Sequence, residues 1–207
     1  MKKIILSLIL LTIALVSPAF ASEAGDMEID LKLGYTLDNN VKLYVLDPAL
    51  LDPGAEPGVD SGSINKNFIL WADFYFYVNS QVALGFGVNN MFDSTAEYGY
   101  DDKYGFTNIY FSVRPKMDLD SDILESIYFL AQAGYGFIRF DSGFAVKPHM
   151  SNGFYWAMGV GVEIVYDFFL EFIHSFNYGS ADTNNYKNDI TYSAFSVNVG
   201  YKFRFKP

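Results

Sequence analysis

The segment Phe195 to Phe205 constrains this chain more than any other. Phe195, Val197, Val199, Tyr201, Phe203 and Phe205 alternate there with Ser196, Asn198, Gly200, Lys202 and Arg204. Alternation on a strict period of two specifies a β-strand with one apolar face and one polar face. The apolar face is aromatic, and the same pattern recurs along the chain. A soluble sheet would bury such a face. A sheet closed on itself in lipid turns it outward and keeps small or polar residues inside.

Seven further segments carry the pattern. Met27 to Leu37 sets Met27, Ile29, Leu31, Leu33 and Tyr35 against Glu28, Asp30 and Lys32, and Asn67 to Val78 sets Phe68, Leu70, Ala72, Phe74 and Phe76 against Trp71, Asp73, Tyr75 and Tyr77. Gln81 to Asn89, Phe106 to Lys116, Ile127 to Phe137, Phe154 to Ile164 and Leu170 to Phe176 complete the set. These lengths suit the roughly nine to eleven tilted residues with which a strand crosses a bilayer. The connections give an independent sign. Long polar stretches at 38–66, 90–105, 140–153 and 178–190 alternate with short links at Asn79-Ser80, Met117 to Glu125 and Tyr166-Asp167. Both signals predict an all-β, eight-stranded antiparallel up-and-down transmembrane β-barrel with both termini at the short-turn, periplasmic end. Gly153 to Ile173 is apolar enough for a membrane helix, but Glu163, Asp167 and Glu171 would then share one helical face in lipid, at high cost.

The compartment follows from the start of the chain. Met1-Lys2-Lys3, the apolar run Ile4 to Val16 and Ala19-Phe20-Ala21 read as a secretory signal peptide over residues 1–21, leaving 22–207 as the barrel domain. Without Lys2 and Lys3 the remainder holds 12 basic against 24 acidic residues. A chain that acidic is not expected to bind nucleic acid, whose phosphates require a basic surface. It has no cysteine, so disulfides, thiolate metal sites and lipid-modified cysteines are excluded. Asp118, Asp120 and Asp122 resemble the start of a calcium loop but lack its glycine and distal glutamate, so they read as an acidic turn. No cofactor or metal is expected.

Parity places ten charges inside: Glu28, Asp30, Lys32, Asp73, Arg114, Lys116, Glu163, Glu171, Lys202 and Arg204. They are balanced in sign, as a closed low-dielectric interior requires. Closure makes the first and last strands neighbours, which predicts Glu28 and Asp30 beside Lys202 and Arg204. An eight-stranded lumen has room for side chains and little else.

The signal peptide, the strand count, the alternation of long and short connections and the final strand Phe195 to Phe205 make the chain resemble the small eight-stranded outer-membrane barrels, similar to the OmpA transmembrane domain and the OmpX family. The resemblance covers residues 26–206. It implies the outer membrane of a Gram-negative bacterium, assembly by the barrel-assembly machinery, a monomeric state, and contact with outer-membrane lipids and lipopolysaccharide. The expected role is structural or one of surface interaction, through envelope integrity or adhesion, with a narrow pore as the alternative. A further alternative rests on His174-Ser175-Phe176-Asn177, which resembles the His-x-Ser-Asn motif of lipid A deacylases. That motif sets its histidine and serine two apart on one strand face. Here they are adjacent, which predicts opposite faces unless a bulge intervenes at Ser175.

Overall fold

The computed structural model describes residues 24–44, 59–95, 103–141, 149–183 and 186–206; the expected signal peptide lies outside them. The strands are β1 Met27–Tyr44, β2 Val59–Ser63, β3 Phe68–Asn79, β4 Val82–Thr95, β5 Lys103–Asp118, β6 Leu124–Asp141, β7 His149–Ser151, β8 Gly153–Ile164, β9 Phe168–Thr183 and β10 Tyr186–Phe205. Eight of them form an antiparallel ring in the order β1-β3-β4-β5-β6-β8-β9-β10, and β10 closes it by pairing with β1. The short β2 pairs with the far end of β1, and β7 pairs with β9.

Burial inverts the rule for soluble proteins. Phe111 is 77 % exposed and Leu33, Phe86, Ile109, Phe129, Met158 and Val199 are all outward and exposed, whereas Glu28, Asp30, Arg114, Glu171 and Lys202 have no exposure. Such a wall is stable only where lipid covers it. Aromatic pairs mark both ends of the belt. Tyr35–Phe68 (5.3 Å) and Trp156–Phe176 (4.2 Å) lie toward the long-loop end, and Phe168–Tyr201 (5.2 Å) lies toward the chain termini.

The turns at the terminal end are tight. Tyr166 and Asp167 take φ of 67° and 64°, two left-handed residues in the three-residue connection that reverses the chain between the paired Ile164 and Phe168. Asn79 Oδ1 accepts from the Gln81 amide at 2.8 Å in the β3–β4 turn. At the loop end the strands run past the belt. Of the stretch 178–190, expected as a loop, residues 178–183 and 186–190 are paired strand: Tyr178 opposes Thr191 and Thr183 opposes Tyr186. β1 likewise continues to Tyr44, β4 to Thr95, and His149 opens β7 instead of lying in a loop. Above the bilayer the outer face meets water while the inner face stays buried at Val41 and Ile190, so backbone pairing persists where the outward apolar alternation has stopped.

Candidate functional site

The charged interior at the terminal end is built mainly by β1, β5, β8, β9 and β10. Arg114 of β5 is its hub. Its guanidinium reaches Asp30 Oδ2 at 2.6 Å, pairs with Glu28, donates to the Tyr77 hydroxyl at 2.8 Å, and lies 3.8 Å from the Tyr75 ring centroid. Glu28 and Asp30 alternate with Ile29 on β1, so both carboxylates face the guanidinium. Glu28 opposes Arg204 and Asp30 opposes Lys202 in register. Lys202 Nζ reaches Glu163 at 2.5 Å and Glu28 at 3.3 Å; Arg204 reaches Glu28 at 3.4 Å and Glu163 at 3.2 Å. One turn higher, Lys32 Nζ sits between Asp73 and Glu171, 2.7 Å from each. Tyr110 donates to Asp73 at 2.5 Å and Tyr128 to Glu171 at 2.8 Å. Gly161 on β8 gives Tyr128 its place, because a Cβ there would overlap the hydroxyl at 2.5 Å.

Lys116 differs from the other nine. It stands at the rim, its partner being Asp118 at 3.5 Å, with Nζ 5.3 Å from the Tyr77 ring. Two acids not expected in the network join it. Arg204 also reaches Asp167 at 3.2 Å and Glu125 at 3.7 Å. Asp167 is carried there by the left-handed turn, which tucks its side chain under the barrel. Burial pushes its carboxyl above the ordinary aspartate value, against the pull of Arg204. Turn residues carry no strand parity, which is why alternation could not find it.

Above the ions lies a layer of amides. Asn108 donates to Asn89 at 2.8 Å, Asn89 to the Tyr155 hydroxyl at 3.2 Å, and that hydroxyl to Gln132 at 2.8 Å. Higher still the filling turns apolar. Phe106 stacks on Tyr192 at 4.4 Å among Val41, Ile69, Met91 and Ile138, all buried. Ile64 caps this layer from the connection between β2 and β3, which is fastened by Ile64 N to Asn39 O (3.2 Å) and Ser94 Oγ to Asn65 O (2.6 Å). The interior is therefore filled along its length, with ions at one end and hydrocarbon at the other.

His174 and Ser175 occupy opposite faces of β9. His174 lies outward between Phe176 (4.3 Å) and Phe195 (6.4 Å), while Ser175 is buried and bonds Ala194 O at 3.5 Å. The register through Met158↔His174, Ala157↔Ser175 and Ala194↔Ser175 is unbroken. Among the described residues no group of three or more histidine or acidic side chains could hold a metal ion.

The model of the outer membrane protein beta-barrel domain family matches residues 6–203. No curated protein matches the chain. Among solved structures it is similar to the outer membrane protein AlkL in lipid bilayers, at 15% identity and a TM-score of 0.58, covering 92% of this chain and 95% of that one. OprG of Pseudomonas aeruginosa gives 11% identity, a TM-score of 0.55, and coverage of 90% and 99%. Neisserial surface protein A gives 17%, 0.51, and coverage of 86% and 99%. At these identities the likeness extends to the barrel architecture.

Proposed function

The chain belongs to the outer membrane protein beta-barrel domain family, and on that premise we propose that it is a non-conducting, non-enzymatic barrel of the bacterial outer membrane with a structural or surface-interaction role. The barrel acts as a monomer, holds both termini in the periplasm, and raises four loop regions outward on strands that continue past the lipid belt. Its contacts are lipopolysaccharide, outer-membrane lipids and external surfaces. Before that it passes through the barrel-assembly machinery.

One observation carries this reading: the interior is a core. Arg114 is gripped by two carboxylates and two tyrosines at one end, and Phe106 stacks on Tyr192 at the other. A pore would need a continuous polar path, and a hydrolase built on His174 would need its serine on the same face. Neither arrangement is favoured by these contacts. With the filled interior serving stability, the parts left to act are the outer wall and the loop end.

Two experiments test it. Deleting the gene is expected to change detergent sensitivity or surface adhesion, and an unchanged envelope with unchanged adhesion refutes the role. Orientation is tested by single cysteines, since the chain has none of its own. In intact cells an impermeant maleimide should label Asn40→Cys near the loop end and leave Asp120→Cys in the β5–β6 link untouched. The reverse pattern inverts the topology.

A further inference from the structure

The register along β9 contains a bulge where β7 gives way to β8. Ser151 opposes Ser180 and Tyr155 opposes Asn177, so residues 152–154 face only Tyr178 and Gly179. In this bulge stands Asn152-Gly153, the one Asn-Gly pair of the chain. Each of the two has a structural reason to be there. Gly153 lets β9 pass, because a Cβ on it would stand 1.9 Å from Tyr178 O. Asn152 completes the edge of β6. The pairing of β6 with β8 ends at Gly136 opposite Gly153, and two residues further along β6 the Ile138 amide donates to Asn152 Oδ1 at 3.2 Å in place of a backbone carbonyl.

Those two needs bring a reactive pair together at an accessible point. A glycine nitrogen is the least hindered main-chain nucleophile that can follow a side-chain amide. Asn152 belongs to neither β7 nor β8 and is exposed, so water reaches it. The Ile138 N–H points at Oδ1, the atom on which negative charge develops when Cγ is attacked, and a donor so placed stabilises that charge. Asn40 and Asn90 differ on each count. They lie inside β1 and β4 and precede Val41 and Met91, whose side chains crowd the attacking nitrogen.

We propose that Asn152 is a site of spontaneous modification in the folded barrel, closing onto Gly153 as a cyclic imide and opening to aspartate or isoaspartate. The Gly153 nitrogen bonds to Asn152 Cγ and its proton leaves to solvent. The bond from Cγ to Nδ2 breaks, and the departing nitrogen takes up a proton to leave as ammonia. Water then opens the imide at either carbonyl, giving aspartate or, with the main chain rerouted through Cγ, isoaspartate. Water is the one co-reactant, and the position gains one negative charge. The bulge already carries an unpaired residue, so the extra main-chain atom of isoaspartate leaves the register of β8 and β9 in place.

The folded barrel is held in detergent micelles at mildly alkaline pH in water labelled with heavy oxygen. It is then digested in ordinary water, so that only modification in the intact protein carries the label, and its fragments are read by mass spectrometry. Label is expected at Asn152 before Asn40 or Asn90, at a rate proportional to hydroxide. That rate should be no more than about tenfold below that of the urea-unfolded chain, the slowing that about 1.4 kcal/mol of geometric restraint produces. Asn152→Gln, which would have to close a larger ring, should take up none in the same fragment. Heat-shifted gel mobility verifies that the barrel stays folded throughout. A greater slowing in the folded barrel means that the fold protects the pair and overturns the site, as does label retained in Asn152→Gln.

Discussion

The two halves of the interior are walled by the same strands and filled by opposite chemistry. Near the termini the large inward side chains are charged residues and tyrosines, with Phe169 as an apolar exception 5.1 Å from Lys202 Nζ, and every charge but that of the rim residue Lys116 is held by partners outside its own strand. Near the loops the filling is Phe106, Ile69, Met91, Ile138 and Val41, with Tyr192 as a polar exception. The difference is one of specificity. Glu28 and Asp30 of β1 find their cations on β5 and β10, so a slip of one residue at the closing seam would leave buried carboxylates unpaired. The apolar half imposes shape and tolerates compromise. Hence the ionic half should fail abruptly on loss of one member and the apolar half by degrees.

The largest effect is expected at Arg114. Arg114→Ala strands Glu28 and Asp30 and should cost about 3–5 kcal/mol in urea unfolding from micelles, the usual penalty for breaking a buried pair. Arg114→Met combined with Glu28→Gln and Asp30→Asn should recover much of that loss, because neutral partners need no cation; failure to recover would dissolve the contrast between the halves. Ile138→Ala in the apolar half should cost about 2–3 kcal/mol, set by how far the plug collapses around the gap. Tyr192→Phe keeps the stack on Phe106 and removes the hydroxyl bond to Asn39 Oδ1 (2.9 Å), for about 1 kcal/mol.

The turn at Asp167 gives a pH signature. Its carboxyl binds its proton more tightly folded than unfolded, so its contribution is full below the ordinary aspartate value of about 4 and is lost as pH rises through the raised folded value. Unfolding measured across that window should show this slope in the wild type and lose it in Asp167→Asn. The smallest effect belongs to His174→Ala. The imidazole is outward among rings, so stability should move by no more than about 0.5 kcal/mol and lipid A from producing cells should keep its acyl chains. An acyl chain lost in a manner dependent on His174 would revive the hydrolase alternative.

Period-two alternation made the walls legible because lipid and interior place opposite demands on successive residues. Leu31 and Lys32, or Phe111 and Ser112, could hardly share a face. The same logic explains what escaped it. The stretches 178–183 and 186–190 look like loop because above the lipid the outer face need not be apolar, yet their backbones still pair. Asp167 and Glu125 reach Arg204 from turn and strand-end positions, where parity has no hold. Arg139 carries the outward parity of β6, but its path across Gly105 to Asn90 depends on strand register, and no single strand states that.

The filled interior is the central claim, and single-channel recording in planar bilayers tests it most directly. The wild-type protein should give no conductance steps above the lipid background at either polarity. Reproducible discrete steps from the folded, unmutated barrel would show that the ions and the plug part in the membrane, and would make this protein a channel.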